Sequence, residues 1–149
     1  MNYIIEIFTN KIIQTAILSW FIAQVIKVIL TLIKDRTLDF TRLFGSGGMP
    51  SSHASFTVSL ATAVGFTASF SSVEFALAAA FAIVVMYDAT GVRRSAGEQA
   101  AILNKIVERL GKEHISETGK KLKELLGHTP VQVFAGAVLG LFIAIIRYI

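Results

Sequence analysis

Hydrophobic residues are concentrated in long blocks along this chain, and polar segments separate the blocks. Four apolar runs cover about 12–33, 53–70, 73–87 and 130–146. The first is long enough to cross ~30 Å of hydrocarbon as a helix. Between the last two runs, the stretches 98–110 and about 115–126 carry apolar residues on one helical face, as amphipathic helices do. The pattern predicts an all-α, polytopic membrane helix bundle of about four transmembrane helices, with amphipathic interfacial helices between spans three and four.

The composition also favours a membrane protein. The 149 residues are 54% hydrophobic and 16% charged, with a mean hydropathy of +0.65. One integral membrane domain is expected over 1–149, with a polar insertion at 88–129. The net charge of +4 suits loops beside anionic lipid headgroups, and no nucleic-acid partner is expected. Because the chain has no cysteine, disulfides, thiolate catalysis and cysteine-ligated zinc are excluded.

Two of the apolar runs carry polar side chains in helical register. In the first run, one helix face holds Gln24, Lys27, Thr31 and Lys34. A lysine inside a membrane helix usually faces a polar interior, although snorkelling to the membrane surface is the alternative. In the second run, the polar stripe consists of Ser52, Ser55, Ser59 and Thr62. Small hydroxyl residues at this spacing either allow close helix packing or line a site.

Glycine, proline and histidine occur together at two points of the chain. The two segments are Gly47-Gly48-Met49-Pro50-Ser51-Ser52-His53 and Gly127-His128-Thr129-Pro130. Each predicts a glycine turn, a hydroxyl cap and a helix N-terminus with proline in its first turn. Such a terminus offers N–H groups to an anion, and the histidine adds a proton donor. The alternative is a turn between membrane helices that happens to contain a histidine.

If four spans alternate in direction, their most polar ends lie on one membrane face. Those ends carry Lys34, Gly47 to His53, Asp88 to Arg94, and His128. Histidines, cations and helix N-termini together suit a phosphate oxyanion. Two histidines around one phosphate also suit phosphoryl transfer, one as nucleophile and one as general acid and base. The alternative is a metal cation held by the histidines and Asp88, which the nearby lysines and arginines would repel.

These motifs resemble a known superfamily. Its motifs are Lys-x6-Arg-Pro, Pro-Ser-Gly-His and Ser-Arg-x5-His-x3-Asp, found in type 2 phosphatidic acid phosphatases and vanadium haloperoxidases. The similar segments here are Lys27-x6-Lys34, Pro50-Ser51-Ser52-His53 and His128-Thr129-Pro130-x-Gln132. The longer stretches Gly-Gly-Met-Pro-Ser-Ser-His-Ala, Tyr-Asp-Ala-Thr-Gly-Val-Arg-Arg and Leu-Gly-His-Thr-Pro-Val-Gln-Val resemble its divergent bacterial and plant branch, the YuiD-type proteins.

The resemblance implies roles for individual residues. It makes His128 the nucleophile and His53 the general acid. It also implies a phosphate-binding set of Lys27, Lys34, Gly48, Ser51, Ser52, and Arg93 or Arg94. No metal or other cofactor is implied.

Several positions depart from the superfamily pattern. Lys34 replaces an arginine, Ser52 replaces a glycine, and Lys121 and Leu122 stand where Ser-Arg is expected. Gln132 replaces the aspartate that orients the nucleophilic histidine. The orienting role therefore falls to Gln132, or to Asp88 from across the site.

Three functions remain open from the sequence. The first is a membrane phosphatase that hydrolyses a lipid phosphate or other phosphomonoester through a phosphohistidine. The alternative is a catalytically weak or inactive homologue that binds anionic headgroups or acts as a membrane scaffold. The third, a transporter or channel subunit, requires a homo-oligomer. Membrane lipids and a phosphate-bearing, lipidic substrate are the expected partners.

The distribution of cations predicts how the protein is oriented in the cell membrane. Eleven of the 14 lysines and arginines lie on the side of the candidate site, and two, Lys11 and Arg147, lie on the other. The positive-inside rule therefore places the site in the cytoplasm and both termini outside. Integral members of the phosphatase superfamily usually have the opposite orientation.

Overall fold

The structure, a computed structural model, describes residues 2–36, 48–110 and 127–149. Within these ranges every regular element is a helix, which confirms the all-α prediction. The helices are α1 (Tyr3–Thr9), α2 (Lys11–Asp35), α3 (Ser52–Ala68), α4 (Val73–Thr90), α5 (Val92–Leu110) and α6 (Pro130–Tyr148).

Polar residues begin and end the helices outside the candidate site. The Asn10 side chain accepts hydrogen bonds from two N–H groups in the first turn of α2, at 2.9 and 3.1 Å. The Ser72 hydroxyl accepts the Phe75 N–H at 3.1 Å and caps α4 in the same way. α2 ends at Asp35, and the C-cap residue Arg36 that follows has a left-handed φ of 52°, which breaks the helical path. These caps satisfy N–H groups that would otherwise have no partner at the helix ends.

α3 lies in the centre of the bundle, where it contacts α2, α4 and α6. Nine of its 17 residues are buried, and all nine are alanine, glycine, serine or threonine. The Ser19 and Ser55 hydroxyl oxygens, 2.6 Å apart, join it to α2. Small side chains and interhelical hydrogen bonds are typical of helices that associate in lipid. The serine-threonine stripe of this helix is therefore part of the packed interior.

The closest helix contact joins α3 to α6. Gly136 lies against the carbonyl oxygen of Ser51, and Gly140 lies against the carbonyl oxygen of Ser55. Both numbers increase together, so the two helices run parallel and in register. A side chain at either glycine would overlap a backbone carbonyl, which explains why the Gly-xxx-Gly pair occurs on α6.

Aromatic residues cluster at the opposite end of the bundle from the N-termini of α3 and α6. The Phe66 ring stacks on Tyr148 at 5.8 Å between centroids, and Phe70 contacts both Phe66 and Phe75 edge to face. The Lys11 ammonium lies 4.3 Å from the centre of the Tyr148 ring. Aromatic and lysine side chains at one level are typical of a membrane–water interface.

The helices extend beyond the apolar runs that the sequence marks. α4 continues to Thr90, and the amphipathic helix expected at 98–110 begins at Val92. α1 was not expected. The added stretches contain alanine and arginine, which are good helix formers, so a helix continues past the point where its hydrophobic character ends. The segment 115–126, with Lys120, Lys121 and Lys123, and most of the loop expected at 34–51 lie outside the described residues.

Among the described residues, three helical stretches are long and apolar enough to cross a membrane. They are Lys11–Ile33, Val73–Arg109 and Pro130–Tyr148. The second takes in α4 and most of α5, and its apolar part is α4. α3 has 17 residues and is largely enclosed by the other helices. The predicted count of four spans therefore stays a prediction.

Replacing Gly140 with valine should lower the unfolding free energy by about 1–3 kcal/mol, because the new side chain would overlap the Ser55 carbonyl and push α3 and α6 apart. The measurement is the Tm of the protein in detergent micelles. Val138→Leu, at an exposed position of the same helix, is the control and should leave the Tm unchanged. A Gly140→Val protein as stable as the native one would contradict the close contact.

Candidate anion site

The N-terminus of α3 begins at a serine cap. Ser51 is the N-cap, and its hydroxyl accepts the N–H of Ala54 at 3.4 Å. This places His53 in the first turn of the helix, as the sequence predicts. Pro50 lies before the cap, so the prediction that it occupies the first helical turn is wrong. The reason is that Ser51 supplies a side-chain acceptor for the helix N–H groups, which a proline cannot do.

Ser52 is the first residue of α3 and brings two hydrogen-bond donors to this point. Its side chain is buried, and neither its hydroxyl nor its N–H is hydrogen-bonded to another described residue. First-turn N–H groups have no partner within their own helix. Both donors can therefore bind an anion, which the helix dipole at this end would also stabilise.

Lys27 is enclosed in the bundle beside the turn that precedes α3. It is only 2% exposed, and its ammonium donates a hydrogen bond to Gln24 Oε1 at 2.8 Å. Its methylene stem packs on Gly48, where an added Cβ would come within 3.2 Å of the Lys27 Cγ. Gly48 has a φ of +83°, which favours glycine for a second reason. The snorkelling alternative is therefore wrong for Lys27.

A hydrogen-bond network fixes the tautomer of His128. The His128 Nδ1 atom lies 3.2 Å from Gln132 Oε1, and the same Oε1 accepts the Thr129 N–H at 3.1 Å. A backbone N–H only donates, so the shared atom is an acceptor and Nδ1 must carry the proton. The lone pair of the imidazole is then on Nε2. His128 is 5% exposed, so this ring is held inside the protein.

Gln132 has this position because it belongs to a capping box. The Thr129 hydroxyl accepts the Gln132 N–H at 3.4 Å, while the Gln132 side chain returns to the Thr129 N–H. Thr-x-x-Gln is a recognised sequence signature of such a box. The residue that orients His128 therefore also starts α6.

Backbone hydrogen bonds join the predicted pieces of the site at one end of the bundle. The Ser51 N–H donates to the Gln132 carbonyl at 2.9 Å, which links the N-termini of α3 and α6. The His128 N–H donates to the Ala89 carbonyl at 3.0 Å, which adds the end of α4. With Lys27 of α2 packed on Gly48, four helices meet at this end.

The remaining candidate site residues are not buried as Lys27 and His128 are, or lie outside the described part of the structure. His53 is exposed, Asp88 is half-buried, and Arg94 is exposed and forms an ion pair with Glu98 at 3.0 Å. The side chains of Lys34 and Arg93 lie outside the described part of the structure. Among the residues described, no group of three histidine, aspartate or glutamate side chains is placed to hold a metal ion.

Two further residues contribute to the site that the sequence analysis did not assign to it. Gln24 accepts the Lys27 hydrogen bond, and Thr129 shares the oxygen that orients His128. The i, i+3 spacing of Gln24 and Lys27 and the Thr-x-x-Gln pattern were the available signals.

Comparison with known proteins finds the family that the sequence motifs resemble. A family model described as the divergent PAP2 family matches residues 8–143. An uncharacterised membrane protein of Bacillus subtilis (strain 168), YuiD, is 40% identical over 151 residues, covering 95% of this chain and 96% of its own. No solved structure matches.

Replacing Gln132 with leucine should remove the acceptor of the His128 Nδ1–H, so that the Nε2-protonated tautomer becomes more populated. The measurement is the ¹⁵N NMR spectrum of protein labelled at histidine. In the native protein, His128 should show a protonated Nδ1 and an unprotonated Nε2, and Gln132→Glu should keep this pattern.

Thr129→Ala is the matched control, because it removes the hydroxyl half of the capping box and leaves the Gln132 oxygen in place. It should weaken the start of α6 without changing the tautomer. A protonated Nε2 in the native protein would contradict the network.

Proposed function

Because the chain belongs to the divergent PAP2 family, we propose that it is a phosphatase-like membrane protein that hydrolyses a lipid phosphate or another phosphomonoester. The observation that carries this proposal is the Gln132 link. Its side chain orients His128, and its backbone carbonyl binds the N-cap of α3. A nucleophile of defined tautomer is thereby tied to an N-terminus that can bind phosphate oxygens.

Phosphate binding is the first step of the proposed reaction. The Ser52 hydroxyl and N–H would donate hydrogen bonds to phosphate oxygens, and the α3 dipole would stabilise the charge. Lys27 adds a buried positive charge beside Gly48, where there is little water to screen it. Lys34, Ser51 and either Arg93 or Arg94 complete the proposed binding set.

His128 then attacks the phosphorus atom through Nε2. A bond forms between Nε2 and phosphorus while the ester bond from phosphorus to the alcohol oxygen breaks. His53 gives its proton to the leaving alcohol. The Nδ1–H of the resulting phosphoimidazolium stays hydrogen-bonded to Gln132 Oε1, which keeps the ring in place.

Water completes the cycle. His53, now neutral, removes a proton from a water molecule, and the oxygen of that water attacks phosphorus. The bond between Nε2 and phosphorus breaks, inorganic phosphate leaves, and both histidines return to their starting protonation states. The proposed reaction requires no metal or other cofactor. The apolar surroundings of the bundle favour a lipidic alcohol as leaving group.

A second candidate function is binding without turnover. The observation that favours it is Gln132 itself, since a neutral amide orients an imidazole but stabilises an imidazolium less than a carboxylate does. The same binding residues would then hold an anionic headgroup, and the protein would act in the membrane as a lipid-binding or scaffold protein.

His128→Ala should abolish phosphate release by the purified protein, and His53→Ala should reduce it strongly by removing the general acid. The assay measures inorganic phosphate from phosphatidic acid, lysophosphatidic acid, phosphatidylglycerophosphate and isoprenyl phosphates. His114→Ala, which changes the third histidine of the chain, is the control and should keep full activity. If the native protein releases no more phosphate than the His128→Ala variant, the proposed hydrolase activity is excluded.

Vanadate binding separates the two functions. Ser52→Ala should weaken binding about tenfold, since a hydrogen bond to a charged group contributes about 1.5 kcal/mol or more. Lys27→Met should weaken it further by removing a buried charge. Binding that survives His128→Ala but requires Ser52 and Lys27, with no turnover, would favour the binding protein.

We further propose that the site faces the cytoplasm, in line with the distribution of lysine and arginine. Because the chain contains no cysteine, a Ser46→Cys variant carries a single reactive thiol, two residues before Gly48 in the sequence. In intact cells this thiol should resist a membrane-impermeant reagent and react after permeabilisation. Labelling of intact cells would overturn the assignment.

A further inference from the structure

α5 presents surfaces of different chemistry around its circumference. Gly97 and Asn104 are buried, and their seven-residue spacing puts them on one face. Beside them lies a second face, here called the apolar face, which consists of Ile102, Leu103, Ile106 and Val107. These four side chains are between 37% and 58% exposed. An apolar cluster of this kind requires a partner that shields it from water.

A third surface of α5 is charged. Its exposed members are Arg94, Glu98, Lys105, Glu108 and Arg109. Over the whole helix the sequence supplies four cationic and two acidic side chains, and one of the acids, Glu98, is paired with Arg94 at 3.0 Å. Lys105 and Arg109 lie one turn apart, so they form a cationic strip next to the apolar face.

The bundle itself does not cover the apolar face. Among the described helices, α5 contacts only α4. With six ionisable side chains in 19 residues, α5 is too polar to cross the hydrocarbon core. It begins directly after α4, at the end of the bundle where the Ala89 carbonyl accepts the His128 N–H. α5 therefore leaves the bundle at the end that carries the anion site.

We propose that α5 lies in the membrane–water interface beside this site, with its apolar face at the boundary between headgroups and acyl chains and its cationic strip on anionic headgroups. Apolar side chains on one face and lysine or arginine along the other are the pattern by which helices bind an anionic membrane surface. Each cation near such a surface contributes to binding. The cationic strip of α5 would thereby enrich anionic lipid at the end of the bundle that carries the site.

A second copy of the chain is the rival occupant of the apolar face. The charge distribution disfavours it, because pairing two such faces would bring their cationic strips toward each other. Anionic headgroups instead match the sign of the strip.

Site-directed spin labelling tests where the faces of α5 lie. Because the chain has no cysteine, each variant carries one nitroxide: Ile102→Cys or Ile106→Cys on the apolar face, and Glu98→Cys or Lys105→Cys on the charged surface. The proteins are placed in vesicles of phosphatidylcholine with phosphatidylglycerol. Labels at 102 and 106 should collide more with oxygen, and labels at 98 and 105 more with a water-soluble nickel chelate.

Lipid selectivity is the second measurement. The native protein should bind spin-labelled phosphatidylglycerol in preference to phosphatidylcholine. Lys105→Gln combined with Arg109→Gln should lower this preference several-fold, by up to about fivefold per cation removed. Glu108→Gln is the matched control, which removes a charge of the opposite sign and should not lower the preference.

Three results would overturn the proposal. The first is equal exposure of the labels at 105 and 106 to the nickel chelate. The second is unchanged lipid preference in the double variant. The third is dipolar coupling between labels at 106 that persists on dilution with excess lipid, which would assign the face to a second copy. None of these readouts depends on catalysis, so the fate of the phosphatase proposal does not decide them.

Discussion

The contact between α3 and α6 is the constraint on which the rest of the structure depends. Gly136 and Gly140 bring the backbone of α6 against the carbonyls of Ser51 and Ser55. Because the two contacts are in register, the helices begin at the same level, and the Ser51 N–H reaches the Gln132 carbonyl. Two helix N-termini, each with a nearby histidine, are thereby placed together by glycines that carry no chemistry themselves.

Lys27 is an exception in a core that consists mainly of small residues. A core of alanine, serine and threonine leaves little room for large side chains, yet this lysine is the largest fully buried one. Burying an ammonium costs several kcal/mol unless partners compensate for lost water. Gln24 supplies one such partner, and an anion bound beside Gly48 would supply a counter-charge.

The sequence predicted the helical class, the stripe on α3 and the first-turn position of His53, because helical periodicity and capping residues report local structure directly. It did not predict what the Gly-xxx-Gly pair of α6 packs against, since that contact joins residues far apart in the chain. The sequence pattern predicted that the amphipathic helix begins at residue 98, whereas α5 begins at Val92. The reason is that hydropathy marks the apolar part of a helix and not its ends. The tautomer of His128 could be assigned only from the atomic position of Gln132 Oε1, which accepts the Thr129 N–H as well.

Gln132 also bears on the balance between binding and turnover. In the proposed reaction, a carboxylate at this position would stabilise the imidazolium that phosphorylation of His128 would produce. It would also repel the substrate, because a second negative charge would stand close to the phosphate. The amide keeps the ring orientation and removes both effects. Under the proposed mechanism, glutamine in place of aspartate should therefore strengthen ground-state binding of a phosphate and slow formation of the phosphohistidine.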